Sequence, residues 1–267
     1  MKDEMLDMQP EYLSNPKASL LCAVQKIVTT FSDDIGNSVT GNGSGFWLKT
    51  KRGNAYFVTN RHNIDPTMHE DSHKSKAFAS ITIMQRAYNK KDSLPGGDAH
   101  PLVISAKDLT IHKPDDNSDV VMLHSKIVFK PDNPDYMLLC LPEEATSYSR
   151  KPEMLDQMYF VGFPAKLRRT AKYDLPIARS CTIASFPEID YSEEDNTIPS
   201  SKTCLVEGLS FGGSSGSAVL RINKERLELM GIMSGHFKEG KSSEWHAGLS
   251  YLTMASSIQR IINIYAL

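Results

Sequence analysis

The chain has 267 residues, 40% of them hydrophobic, and its 30 Lys and Arg nearly cancel 32 Asp and Glu, for a net charge of −2. That is enough apolar material for one large domain or two small ones. So small a net charge supplies no global field toward nucleic acid or an anionic membrane, and partners must be recognised locally.

Residues 1–17 are polar, with Pro10 and Pro16, and read as an N-terminal extension. The start, Met1 to Asp7, is acidic and lacks the basic and apolar regions of a secretory signal. No apolar run approaches the ~20 residues of a membrane span, so a soluble protein is expected. The run Ala18 to Val28 fits helix or strand by period; it is read as a strand leading into a polar turn region, Asp33 to Asn42.

Two β-type runs, Gly45 to Thr50 and Tyr56 to Thr59, flank Lys51-Arg52-Gly53-Asn54, a hairpin signal that delivers His62 to a strand end. Beyond it, His69-Glu70-Asp71-Ser72-His73 spells the H-E-x-x-H zinc pattern, which requires a helix. Pro66 and the lack of apolar periodicity argue for a loop, so neither a metal nor another cofactor is expected. Short strands follow at Ala79 to Met84, Leu102 to Ser105, Leu109 to His112 and Asp119 to His124, separated by turn residues. Such punctuation points to an all-β barrel and not to alternating β and α units.

Residues 126–157, with prolines at 131, 134, 142 and 152, read as a bridge to a second β set beginning at Met158. The basic run Lys166 to Lys172 is short and free of aromatics, which favours a solvated hairpin over a nucleic-acid site. Residues 187–200, with Glu193-Glu194-Asp195, read as a mobile acidic loop. Strands are expected at Thr203 to Val206, Ala218 to Ile222 and Leu227 to His236. Met254, Ile258, Ile261, Ile262 and Tyr265 are apolar at helical spacing, which predicts a C-terminal helix with its stripe on the second β set. The cysteines Cys22, Cys140, Cys181 and Cys204 lie far apart, with no C-x-x-C pair, and read as buried small hydrophobes.

The stretch Phe211-Gly212-Gly213-Ser214-Ser215-Gly216-Ser217-Ala218 is the most restricted in residue type, with small residues throughout Gly212 to Ser217. Packing of this kind lets a hydroxyl and a pair of backbone N–H groups meet at one substrate atom. Ser215 then reads as a nucleophile, with the N–H groups of Gly213 and Ser215 aimed at the oxyanion. A serine hydroxyl needs a base, and the base an orienting acid. Candidates stand in Tyr56-Phe57-Val58-Thr59-Asn60-Arg61-His62 and in Ser118-Asp119-Val120-Val121-Met122-Leu123.

With these three runs in this order, the chain resembles the chymotrypsin/trypsin-like serine peptidases, in their disulfide-free, bacterial-type form. The similarity runs from about Gly43 onward, because Gly43-Ser44-Gly45-Phe46 also looks like the family's glycine-containing strand before the histidine. One departure is Ala218, where many relatives carry proline. The resemblance implies a fold of two six-stranded antiparallel β-barrels with a C-terminal helix. The first would span residues 18–145 and carry His62 and Asp119; the second would span 146–267 and carry Ser215. It implies a Ser-His-Asp triad of Ser215, His62 and Asp119, an oxyanion hole of Gly213 and Ser215, and protein or peptide substrates. Secreted relatives commonly bridge cysteines near both catalytic residues; their absence fits a reducing cytosol. The resemblance also leaves room for a regulatory protein partner that orders the oxyanion loop.

By the same resemblance, Leu209 occupies the floor of the specificity pocket, and Ser234-Gly235-His236 its substrate-pairing edge, with His236 and His246 as polar wall candidates. A Leu floor offers no carboxylate for a substrate Arg or Lys, so an apolar or uncharged residue before the scissile bond is expected. Two rivals stand beside this reading. Gly212-Gly213-Ser214-Ser215-Gly216 also fits the G-x-S-x-G elbow of α/β-hydrolase esterases, with Ser214 as nucleophile. That elbow needs a following helix, whereas Ala218 to Ile222 is β-like. The other rival is a catalytically silent binding module on the peptidase scaffold.

Overall fold

A computed structural model describes residues 22–68, 75–86, 88–89, 94–95, 99–126, 136–164, 175–189, 191, 203–223, 226–238 and 246–267. The expected extension, the H-E-x-x-H pattern, the basic run and Glu193-Glu194-Asp195 lie outside the described residues.

The first half runs through β1 (Val24–Ser32), β2 (Ser38–Lys49), β3 (Ala55–Thr59), β4 (Ala77–Gln85), β5 (Tyr88–Asn89), β6 (Leu94–Pro95), β7 (His100–Ser105), β8 (Leu109–His112), β9 (Val121–Ser125), β10 (Tyr136–Met137) and β11 (Leu141–Pro142). Its main sheet has the order β7-β4-β1-β2-β3-β9-β8, with β11 parallel to β2, while β10, β5 and β6 make a small separate sheet. Hydrophobic alternation explains the inward face: Ile27 on β1, Ile81 and Ile83 on β4, and Trp47 and Phe57 meet in one buried cluster.

Two features depart from the expected first barrel. The strands at the ends of the sheet, β7 and β8, do not pair among the described residues, so the sheet is a half-barrel. The turn Ala106–Asp108 carries the chain directly from β7 to β8, joining the two ends by covalent chain and not by ladder hydrogen bonds. The polar region expected from Asp33 to Asn42 is a turn only as far as Asn37. There the Asp33 carboxylate accepts from the N–H groups of Ile35 and Asn37, and Gly36 takes φ +88°. From Ser38 the chain is strand, because its backbone pairs with β1 along the whole register from Ser32↔Ser38 to Val24↔Phe46.

The second half contains β12 (Gln157–Gly162), β13 (Ile177–Ile183), β14 (Thr203–Glu207), β15 (Ala218–Asn223), β16 (Arg226–Lys238) and β17 (His246–Met254), then helix α1 (Ala255–Tyr265). These strands close into a six-stranded barrel in the order β12-β13-β14-β17-β16-β15 around Phe160, Ile183, Val206, Val219, Met233 and Leu252. All four cysteines are free and buried, and burial pushes each thiol up to about 12. A third cluster joins the halves: Phe46, Leu48, Val58 and Met122 from the first meet Val161, Leu220 and Ile232 from the second. Helix α1 seals it with Ile258, Ile261 and Ile262, so the expected stripe packs where the halves meet and not on the second β set alone, while Met254 ends β17 and Tyr265 is exposed. Among the described residues, no helix is long and apolar enough to cross a membrane, and no cluster of three or more His, Cys, Asp or Glu could hold a metal ion.

Candidate active site

His62 stands on the short 3₁₀ turn Arg61–Asn63 that ends β3, and Asp119 lies just before β9, the strand paired with β3. Strand pairing therefore brings residues 57 apart in sequence together. One oxygen of the Asp119 carboxylate accepts from the His62 main-chain N–H at 2.9 Å, and the other accepts from His62 Nδ1 at 2.7 Å. With Nδ1–H donating to the carboxylate, the lone pair of the neutral ring is on Nε2. Burial alone would lower the pKa of His62, but the charge of Asp119 and its hydrogen bond outweigh burial and raise it above the ordinary 6.5.

Asn60, fully buried, braces the same corner. Its Nδ2 donates to the Asp119 carbonyl at 2.7 Å and to Ser234 Oγ at 2.9 Å, and Ser234 Oγ also shares a hydrogen bond with Thr253 Oγ1 at 2.6 Å. The Asp119 loop is tied to α1 through Ser257 Oγ, which donates to Ser118 Oγ at 3.0 Å, and through the Arg260–Asp115 ion pair.

The glycine–serine turn enters this corner from the second barrel. The Ser215 carbonyl accepts from Ser44 N–H at 2.7 Å and from Asn63 Nδ2 at 3.4 Å, which sets Ser215 against the turn that carries His62. Gly216, at φ +86°, packs so closely that a Cβ would fall 1.9 Å from the Ser44 carbonyl oxygen. No other residue fits there without moving backbone. Ser44 Oγ accepts from Phe163 N–H at 2.8 Å and donates to the Gly213 carbonyl at 2.8 Å, fixing the peptide plane after Gly213.

The serines of this turn differ in access. Ser217 is fully buried and Ser214 is 2% exposed, with Ser214 Oγ accepting from Phe211 N–H at 3.2 Å, whereas Ser215 is only half-buried. The main-chain donors differ too. Ser214 N–H goes to the Phe211 carbonyl, Gly216 N–H to Met233 and Ser217 N–H to Ser214, while the N–H groups of Gly213 and Ser215 have no acceptor among the described residues. The turn that carries the accessible hydroxyl thus also carries two open donors, a set suited to a developing oxyanion.

No family model matches the sequence, and no curated protein sequence matches it. Solved protease structures are similar over nearly the whole chain. The protease Anisep from Arthrobacter nicotinovorans gives a TM-score of 0.56 at 15% identity, over 93% of this chain and 97% of that one. The Rv3671c protease in its inactive form gives 0.52 at 13% identity, over 97% of each chain. A serine-to-alanine mutant of Rv3671c from M. tuberculosis, also in an inactive form, gives 0.52 at 14%, over 98% of this chain and 96% of that one. The fold is that of the chymotrypsin-like serine proteases.

Within this chymotrypsin-like frame, the edge Ser234-Gly235-His236 lies on β16, and Ser210 Oγ donates to the Gly235 carbonyl at 3.3 Å, linking that edge to the residues before the nucleophile turn. His246 stacks on His236, ring centres 4.7 Å apart, and faces the Phe211 ring at 6.4 Å. Leu209, expected at the pocket floor, is 53% exposed. Gly208 takes the inner place, where a Cβ would meet the Cys181 side chain at 2.9 Å. Residue-type patterns did not single out Ser44, Asn60 or Arg179. Asn60 and Ser44 occupy the expected runs, but their bonds reach residues more than 150 positions away, which no local signal records.

Proposed function

We propose that the chain is a serine endopeptidase that hydrolyses peptide bonds by acyl transfer, with Ser215 as nucleophile, His62 as general base and Asp119 as orienting carboxylate. One observation carries the reading: the turn that bears the accessible serine also bears two N–H donors, of Gly213 and Ser215, that the described residues leave open. The protease fold and the hydrogen-bonded His62–Asp119 pair support it.

In this mechanism His62 Nε2 takes the Ser215 hydroxyl proton as Oγ attacks the substrate carbonyl. Charge develops on the carbonyl oxygen, and the Gly213 and Ser215 amides stabilise it; removing one such donor costs about 10²- to 10³-fold in rate. Asp119 stabilises the imidazolium, which then gives its proton to the leaving amine. Water, activated by the same imidazole, releases the acyl group and restores Ser215. The exposed Leu209 supplies no carboxylate to the pocket, so cleavage after Arg or Lys is not part of the reading.

A fluorophosphonate probe tests it. Wild type labels at Ser215, Ser214→Ala still labels, and Ser215→Ala does not. Labelling at Ser214 would instead make Ser214 the nucleophile and remove Ser215 from that role; the elbow of the α/β-hydrolases is already excluded, because a strand and not a helix follows the turn. No labelling at all would leave a binding module on a peptidase scaffold.

A further inference from the structure

Strand β13 turns Cys181 and Ile183 into the barrel, and alternation sends Arg179 to the same face, opposite Phe160 in the β12–β13 register. An inward arginine near the end of a barrel is costly unless its charge is met. Its guanidinium centre lies 4.5 Å from the Phe160 ring centre and 4.9 Å from that of Phe211. Among the described residues Nη2 reaches Ser214 Oγ, at 3.4 Å, and Nε is buried with no hydrogen-bond partner. Among the described residues no carboxylate pairs with it. The aromatic faces and one long hydrogen bond leave most of its donor capacity unspent.

Arg179 is only partly buried and touches the nucleophile turn on both sides of Gly213, at Phe211 and at Ser214. Phe211, two residues before Gly213, covers it, and the Arg179 charge is felt by His246 across that ring. Burial, then the charges of His236 and Arg179, lower the pKa of His246, and its ring nitrogens face the main-chain N–H groups of Ser210 and Gly248, so the stacked imidazole is not a second cation. The surroundings of Arg179 thus combine one permanent cation, two aromatic faces and, among the described residues, no carboxylate paired with it.

We infer that the residue before the scissile bond is acidic, with Arg179 as the specificity-determining residue whose open guanidinium N–H groups receive the substrate carboxylate. This rests on the peptidase reading, and it replaces the uncharged preference that a Leu209 floor implied. A planar guanidinium matches a carboxylate in two parallel hydrogen bonds, which an amide of the same shape cannot reproduce as an anion. Glutamate and glutamine therefore form the discriminating pair.

The experiment measures kcat/KM for peptides that differ only in Glu, Asp, Gln, Leu or Lys at that position. Glu is expected to exceed Gln by about 10- to 100-fold, the range of one charge-assisted hydrogen-bonded contact. In Arg179→Gln the Glu-to-Gln ratio falls toward one; Arg179→Lys keeps part of it. Because the readout is a ratio, a general loss of activity cancels. A wild-type preference for Gln, Leu or Lys overturns the inference, and so does a Glu preference that survives in Arg179→Gln. In both cases fluorophosphonate labelling at Ser215 leaves the peptidase reading standing. Absence of labelling and of all cleavage overturns the two together.

Discussion

Asp119 grips both the main chain and the ring of His62, so the carboxylate sets where the imidazole is as well as which nitrogen carries its proton. Its charge also raises the His62 pKa against the opposing effect of burial. The sign follows directly. The stabilisation from this pair is complete below the ordinary imidazole value near 6.5 and is lost as pH rises through the raised value. A general base works only when neutral, so activity must rise through that same raised value. Wild-type kcat/KM is expected to climb with a midpoint above 6.5, whereas in Asp119→Asn burial acts unopposed and the midpoint moves down. The amide also holds the wrong tautomer, and kcat should fall by about 10⁴-fold. A pH profile of both proteins checks this, and a midpoint unmoved by the substitution would remove Asp119 from the role.

At the scale of elements, the nucleophile turn is shaped less by its own sequence than by the strand it leans on. Ser44, on β2, satisfies the Phe163 N–H and the Gly213 carbonyl at once, so it links β2, the end of β12 and the turn. Ser44→Ala leaves two buried polar groups without a partner, at a cost of about 1–3 kcal/mol each. Because the Gly213–Ser214 peptide then keeps the Ser214 N–H bond to Phe211 but loses the anchor on its carbonyl, labelling of Ser215 is expected to slow by more than the loss of stability explains. Labelling at the wild-type rate in a folded Ser44→Ala protein would show that the turn holds itself. The same contrast separates what could be read in the sequence from what could not. The hairpin at Lys51 to Asn54, the helix stripe of Ile258, Ile261 and Ile262, and the runs around His62, Asp119 and Ser215 carry local signatures, in turn chemistry or residue spacing. The strand at Ser38 to Asn42 carries little, because Val39 is the one apolar side chain among exposed or half-exposed residues, and the ladder with β1 makes it a strand. Ser44 and Asn60 bond to partners 169 and 174 residues away, and Arg179 has meaning only beside Phe211. Long-range partners of that kind leave no periodic trace in a single chain.

Across the whole molecule, the groups assigned to catalysis are split: His62 and Asp119 belong to the half-barrel, Ser215 to the closed barrel. The apolar cluster between them is therefore part of the chemistry, since it sets how one half sits on the other. Helix α1 closes that cluster and also ties down the loop that presents Asp119, through Ser257 to Ser118. Ile261, fully buried beneath the helix, tests the coupling without touching any polar group of the site. Ile261→Ala removes buried methyl groups and leaves a cavity, at about 2–5 kcal/mol. For a chain of this size each kcal/mol lowers Tm by roughly 2–4 °C, so calorimetry should show a drop of about 4–20 °C. If the two halves depend on each other, the variant melts in a single transition, and Ser215 labelling disappears along that same curve. If the closed barrel outlasts the half-barrel, two transitions separate, and labelling follows the first. Labelling that instead persists to the second transition would mean that Ser215 reacts without a base from the other half, which would remove His62 from the mechanism.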